Sequence, residues 1–195
     1  DFVAALLALL LLALPLLALG WLIRRKLGSP VFFTQVRPGQ HGKPFKMIKF
    51  RTMRDAVDAS GVPLPDAARL TRLGRFLRSS SLDELPQLWN VLTGEMSLVG
   101  PRPMMPDQRC IYSGSAYYVL RPGVTGPWQV SDRNDSSFAK RADFDLEYHR
   151  SLTFINDLRL LGRTVVNTPL VIYRTEAGEA VVLDGRCPHR HFPLA

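Results

Sequence analysis

From Phe2 to Ile23 the chain carries no charge and almost no polar side chain, and Arg24, Arg25 and Lys26 close the run. As one helix, this stretch would measure about 33 Å, enough to cross the hydrocarbon core of a bilayer. Pro15 sits near its middle, where the missing N–H and the clash with the preceding turn predict a kink. Two topologies fit: a kinked spanning helix, or a helix-break-helix that dips into one leaflet and returns. The residues alone favour spanning, because proline is tolerated in membrane helices whose freed backbone groups find partners. A secretory signal is disfavoured, since the positive cluster follows the apolar run and no small-residue cleavage pattern comes after it. The basic cluster stays cytosolic, so both topologies leave the remaining chain in the cytosol.

Beyond Pro30 the pattern changes to short alternating runs. Val31 to Val36 and Phe45 to Phe50 read as strands around a Pro/Gly-rich turn, which predicts a small hairpin. The small, polar, proline-containing stretch from Asp55 to Asp66 reads as a mobile loop. In "ARLTRLGRFLRSS", Arg69, Arg72, Arg75 and Arg78 recur every third position with Leu70, Leu73, Phe76 and Leu77 between them, predicting one basic amphipathic helix. That helix either covers a core with its charged face in solvent or lies among lipid headgroups; the apolar segment upstream favours the second. Arg121 to Asp132 reads as a loop and Phe138 to Val166 as mostly helical. No internal repeat is visible.

The length, 195 residues, suits one functional unit with appendages. A net charge of +8 and a pI near 10.0 point to an anionic partner: nucleic acid, an acidic membrane surface or a phosphorylated substrate. Nucleic acid is set aside, because neither a recognised binding motif nor an aromatic stacking platform accompanies the charge. The two cysteines, Cys110 and Cys187, form no disulfide framework and fit a reducing compartment.

Against this basic background, "SSSLDELPQLW" places Asp83 and Glu84 side by side ahead of Pro86. Ser81-Leu-Asp-Glu84 matches a capping box. With Ser81 as cap, however, Pro86 would be the fifth helical residue and would cost a hydrogen bond; with Asp83 as cap it falls in the tolerated first turn. Asp83 is therefore expected to begin the helix running through Leu85, Leu88, Trp89 and Leu92. Two roles stay open for it. It is a helix cap, or it is a carboxylate kept ionised by the helix end and nearby cations and able to attack phosphorus. Lys49 and Arg51 in "IKFRTM", Arg78, and Arg102 between prolines in "VGPRP" are the candidate cations.

Three runs carry a resemblance: "SPVFFTQVRPGQHGKPFKMIKFRTM", "TRLGRFLRSSSLDELPQLWNVLTGEMSLVGPRP" and "RPGVTGPWQV". From about Asp1 to Val166 the chain resembles the small monotopic phosphoglycosyl transferases, bacterial sugar transferases that begin assembly of lipid-linked glycans. The resemblance implies transfer of a sugar 1-phosphate from a UDP-sugar to polyprenyl (undecaprenyl) phosphate, with release of UMP and a requirement for magnesium. It implies that Asp83 is the nucleophile forming a phosphosugar intermediate and Glu84 its partner. Lys49, Arg51, Arg78, Arg102 and Arg133 become candidates around the phosphates, and Asp83 the metal contact. It also implies an α+β, mostly helical fold anchored by a re-entrant helix broken at Pro15, which reverses the preference for spanning. In some members a serine precedes that proline, where this chain has Leu14. The expected layout is a membrane helix over 1–26 and a catalytic domain over 27–168 on the cytosolic face of the bacterial inner membrane. Membrane lipids are expected partners, and homodimerisation is left open.

From Pro169 on, the sequence resembles instead the first half of a Rieske iron-sulfur domain, with Cys187 and His189 as its C-x-H pair. The second C-x-x-H pair is absent, so residues 169–195 are expected to hold no cluster and to form at most a short strand pair. Two rivals stand beside the enzyme reading: a non-catalytic membrane-surface module binding anionic lipid or a partner protein, and an electron-transfer protein. The intact Asp83-Glu84 pair with "VGPRP" counts against the first, and the incomplete ligand set against the second.

Overall fold

The computed structural model describes residues 1–130, 138–166, 170–174 and 180–184. In chain order the elements are α1 (Phe2–Leu11), α2 (Ala13–Leu27), β1 (Phe32–Pro38), β2 (Pro44–Phe50), α3 (Asp66–Arg69), α4 (Arg72–Ser79) and α5 (Gln87–Leu92). They continue with β3 (Ser97–Val99), α6 (Ala116–Val119), β4 (Gly123–Thr125), α7 (Pro127–Val130), α8 (Arg141–Arg150), α9 (Phe154–Val166), β5 (Leu170–Arg174) and β6 (Ala180–Asp184). The fold is α+β and mostly helical. The predicted hairpin is present as the β1–β2 sheet, its turn closed by Gly39 N–H donating to Lys43 C=O at 2.7 Å.

The apolar N-terminal run breaks at Leu12 rather than at Pro15. The proline occupies the third position of α2, where a helix has no internal acceptor for its N–H, so nothing is lost there; what its ring excludes is helical continuity back to Leu11. Among the described residues no single helix is long and apolar enough to cross a membrane; α1 and α2 meet that length and composition only as a bent pair.

The chain forms two compact units. The first comprises residues 1–11, 34–48 and 86–168, and the second residues 12–33, 49–85 and 169–195.

In the second unit, Ile23 and Leu27 of α2 pack with Phe50 of β2 and Leu77 of α4, and Leu16, Leu19, Val31, Leu73 and Leu82 close around them. The arginine-rich stretch is not one helix. Leu70 forms a β-bridge with Met53, which pulls the chain out of helical geometry, and α4 starts afresh with Thr71 as N-cap, its Oγ1 accepting from Gly74 N–H at 3.0 Å. The segment 55–65 holds only one bridge, Val57 to Pro63, around a turn organised by the Asp58 carboxylate. β5 and β6 pair antiparallel with Ile172 opposite Val182, in line with the strand pair expected for the tail; Cys187 and His189 lie outside the described residues.

In the first unit, α5 packs against α1, and Asn90 bridges β2 by accepting from Ile48 N–H at 3.1 Å and donating to Lys46 C=O at 2.9 Å. Val99, Leu120, Val130, Tyr148 and Leu160 form one core cluster, and Met104, Tyr112, Tyr117 and Ala142 another. The stretch expected as a loop at 121–132 contains a strand and a helical turn, because "GVT" pairs in parallel with "SLV", Ser97 opposite Gly123. A three-residue strand shows no period of its own; its partner defines it. The close approach requires glycine: a Cβ on Gly126 would stand 2.0 Å from Gly100 O.

Candidate functional site

Between α4 and α5 the chain turns sharply. Ser81 adopts a left-handed conformation, φ 55°, and Leu82–Glu84 form one 3₁₀ turn. Regular helix resumes only at Gln87, after Pro86, so Asp83 is not a helix cap: it precedes the helix by a whole turn and makes no capping hydrogen bond. Proline at the entry starts α5 instead, its fixed φ already helical. The consequence is that the Asp83 carboxyl turns inward, where the residue is only 8 % exposed.

Glu84 meets Lys49 from the end of β2: Nζ donates to Oε1 at 2.6 Å, with side-chain exposures of 18 % and 17 %. Arg78, in the last turn of α4, donates from Nε to Thr52 Oγ1 at 3.1 Å. Arg51 is used differently. Its Nε donates to Met53 C=O, one terminal nitrogen to Ser29 C=O at 2.9 Å, and the other pairs with the Asp55 carboxylate at 2.7 Å. Two of its nitrogens thus brace backbone carbonyls around β2 and the third meets the exposed Asp55 carboxylate, so all three already have protein partners.

Burial pushes the Asp83 carboxyl up to about 6, and the neighbouring Glu84 charge adds to the rise; Lys49 and Arg78 oppose it without cancelling it. At neutral pH the group is still mainly ionised, but it is more basic than an ordinary carboxylate and correspondingly better as a nucleophile. Among the described residues no three His, Cys, Asp or Glu side chains gather into a metal site. The donor set nevertheless suits magnesium, which commonly takes one or two carboxylates plus substrate phosphates and keeps several waters. The pair offers two hard oxygen donors, and its cations leave room for more positive charge.

Lys49, Arg78, Asp83 and Glu84 are thus brought together in the second unit. Thr52, which holds Arg78, was not singled out from sequence, since a buried threonine after a strand carries no distinguishing pattern. Arg102 belongs to the first unit, half-buried in the segment after β3, and Arg133 lies outside the described residues. Pro15 lies in the first turn of α2.

An enclosed Asp–Glu pair with Lys49 and Arg78 beside it, in a chain carrying the signature runs, is compatible with a transferase of the kind those runs suggest. The chain belongs to the bacterial sugar transferase family, whose model matches residues 1–169. A second model, the Rieske [2Fe-2S] domain, matches residues 151–195, so its match reaches back into α9. Among individual proteins, the chain is 50 % identical over 145 residues to the uncharacterized sugar transferase EpsL of Bacillus subtilis (strain 168), covering 73 % of this chain and 72 % of EpsL. It is 39 % identical over 186 residues to the UDP-galactose-lipid carrier transferase of Erwinia amylovora, covering 85 % of this chain and 38 % of that protein. To the undecaprenyl-phosphate galactose phosphotransferase of Salmonella typhimurium it is 40 % identical over 174 residues, covering 80 % of this chain and 37 % of that protein. The chain therefore spans most of EpsL but well under half of the other two.

Proposed function

We propose that the chain transfers a sugar 1-phosphate from a UDP-sugar to undecaprenyl phosphate through a covalent intermediate on Asp83, the first membrane step of bacterial glycoconjugate assembly. The observation that carries this reading is Asp83 itself: a buried carboxylate with a raised pKa, held in a 3₁₀ turn beside a Glu–Lys ion pair, in a chain of the sugar transferase family. Two relatives are named for a lipid carrier, one of them for undecaprenyl phosphate and one for a UDP-sugar donor, which supports the substrate classes.

An Asp83 oxygen attacks the sugar-bearing phosphorus of the donor. The bond from that phosphorus to the bridging oxygen breaks, and UMP leaves with the electron pair. A phosphate oxygen of the lipid then attacks the same phosphorus, the bond to Asp83 breaks, and the carboxylate is restored as the lipid diphosphate sugar forms. Glu84, fixed by Lys49, holds negative charge against Asp83 and keeps its pKa up. Lys49 limits that rise so the nucleophile stays ionised, and Arg78 is presented by Thr52 as a fork for phosphate oxygens. Asp83, with Glu84 beside it, would hold magnesium, which when bound supplies charge neutralisation at the diphosphate. Arg102 and Arg133 keep the phosphate-binding roles that the resemblance implies.

The anchor is proposed to be re-entrant, with the remaining chain on the cytosolic face. The support is the break at Leu12 together with lipid-compatible surface on both sides of it, Leu11 being 80 % and Leu14 79 % exposed. The test of mechanism is trapping with a UDP-sugar labelled in its β-phosphate, without lipid acceptor. Wild type should carry label on the peptide containing Asp83, and folded Asp83→Asn should carry none. A folded Asp83→Asn variant that transfers phosphosugar at a near wild-type rate would refute the mechanism.

A further inference from the structure

Helices α2 and α5 are each followed by a glycine of positive φ, Gly28 at 82° and Gly94 at 80°, the residue type that helix ends commonly use. Helix α4 ends differently. After Ser79 the chain passes through Ser80, still helical, to Ser81 at φ 55°, ψ 16°, in the left-handed region where a Cβ is strained. The Ser81 side chain is exposed and makes no capping hydrogen bond, so nothing of its own favours this conformation.

Packing on both sides imposes it. Leu77, in α4, is fully buried in the cluster with Ile23 and Phe50, and Leu82, immediately after Ser81, packs against the same cluster. Between these two leucines the chain has to reverse, and Ser81 is where it does so. Its N–H donates to Arg78 C=O at 3.3 Å, closing α4, and its C=O accepts from Glu84 N–H at 3.1 Å, opening the 3₁₀ turn. A strained residue persists only where its surroundings over-determine it, and such residues gather at functional sites.

The turn that Ser81 opens carries both carboxylates. Glu84 is tethered by Lys49 at 2.6 Å. Asp83 has no such tether: among the described residues no side chain is hydrogen-bonded to its carboxyl group, and the hydrogen bond that acts on it comes from its own backbone amide. The direction of that carboxyl group is therefore set by the backbone of the turn, and the turn is set at Ser81. We infer that Ser81 is a positioning residue for Asp83: a side chain held left-handed, it keeps the turn in one conformation and so aims the nucleophile. The link from aim to turnover rests on the phosphosugar-transfer reading, whereas the control of the turn does not.

Glycine at this position would meet the dihedral with less strain, but it reaches many other conformations as readily. A nucleophile loosened in this way is less often in attacking geometry, and a misplacement of about 1 Å costs roughly 10²-fold in rate. Substrate binding does not draw on that geometry, so the loss falls on kcat rather than on KM.

The experiment compares Ser81→Gly, Ser81→Asn and Ser81→Val in the full chain in detergent. Thermal unfolding, UMP release and hydrogen exchange of the Glu84 amide, whose bond to Ser81 closes the turn, are measured on each. Asparagine tolerates the left-handed region and keeps a side chain, so Ser81→Asn should hold kcat, KM and exchange within about twofold of wild type. Ser81→Gly should keep or raise Tm, quicken Glu84 exchange, and lower kcat about tenfold while KM for both substrates stays within about twofold. Ser81→Val, whose branched Cβ resists positive φ, should lower Tm and kcat together. Stability and turnover moving apart in Ser81→Gly is the result that a merely structural serine would not give. Wild-type kcat in Ser81→Gly, a Tm that falls with its kcat, or wild-type behaviour of Ser81→Val overturns the inference. Should the wild-type chain show no transfer at all, the function proposed above fails, and Glu84 exchange still decides whether Ser81 holds the turn: equal exchange in wild type and Ser81→Gly shows that it does not.

Discussion

Gly74 offers a direct test of how the fold presents Arg78. It lies inside α4 with its face against the backbone of Thr52, and a Cβ there would stand 1.8 Å from Thr52 O, 2.8 Å from the carbonyl carbon and 3.1 Å from Leu70 Cδ1. To reach even 3.0 Å, the lower limit of real contacts, Gly74→Ala must drive helix and strand end apart by about 1.2 Å, and the obstructing atoms are backbone that cannot rotate away. Overpacking costs about 1–3 kcal/mol, and a clash with backbone this close belongs at the top of that range, near 3 kcal/mol, offset by about 1 kcal/mol that alanine returns in a helix interior. A net loss near 2 kcal/mol is expected, a fall in Tm of roughly 4–8 °C for a chain of this size. The built-in control is Gly162, helical in α9, exposed and with nothing within 4 Å of its Cβ position, where the same substitution should stabilise by up to about 1 kcal/mol. Thermal unfolding in detergent reads both. Because Arg78 Nε bonds Thr52 Oγ1 at 3.1 Å, retreat of α4 should also break that bond. UMP release by Gly74→Ala, measured well below its Tm, should therefore fall by more than any loss of folded protein explains. An unchanged or raised Tm for Gly74→Ala would refute the close approach and the argument that it positions Arg78.

Burial raises the Asp145 carboxyl to about 6 despite Arg141 and the Tyr112 hydroxyl, so the folded state binds this proton more tightly than the unfolded chain does. Its contribution is present at low pH and lost as pH rises through about 6, roughly 2–3 kcal/mol in all. The stability of wild type relative to Asp145→Asn should accordingly improve by that amount between pH 6.5 and 4, and a flat difference in denaturant midpoints would contradict it. For the anchor, single cysteines placed before Phe2 and after Lys26 should label from the same side of sealed vesicles; labelling from opposite sides would establish a spanning helix. For the tail, purified protein should show no Rieske-type visible absorbance or reduced-state EPR signal, and deletion after Thr168 should leave transfer activity largely intact; a stoichiometric iron-sulfur signal would overturn this.

The hairpin and the 138–166 helices were legible because each rests on local chemistry, alternation and helical period, and the acidic pair stood out by its basic context, though not its inward turn. The misplacements share one cause, a partner distant in sequence. Nothing in "ARLTRLGRF" announces the break at Leu70, since the arginine spacing continues across it; only the bridge to Met53 does. The "GVT" strand exists because Ser97–Val99 lies beside it. At the N-terminus the proline was legible but its effect was put at the wrong residue. A proline disturbs the turn before it, so the break falls at Leu12 and Pro15 sits in the first turn of the next helix. Asp83 was expected to begin a helix, and Pro86 does so instead, which frees the carboxylate from capping.

Proximity in sequence does not show which cations already have protein partners. Arg51 is consumed by Ser29, Met53 and Asp55, and Lys49 is committed to Glu84, so within the second unit the basic residues nearest the dyad mostly hold protein. This explains why Asp83 remains hard to ionise while flanked in sequence by arginines: its surroundings neutralise Glu84 and brace the strand, and burial decides the balance. A substrate diphosphate entering such a place would add negative charge to a centre already short of positive charge. The chemistry then requires cations that arrive with the substrate or from elsewhere in the chain. Under the proposed function, magnesium would meet the first requirement. Neutralising Lys49 should disturb the turn itself, because it removes the cation that holds the enclosed Glu84 carboxylate at 2.6 Å.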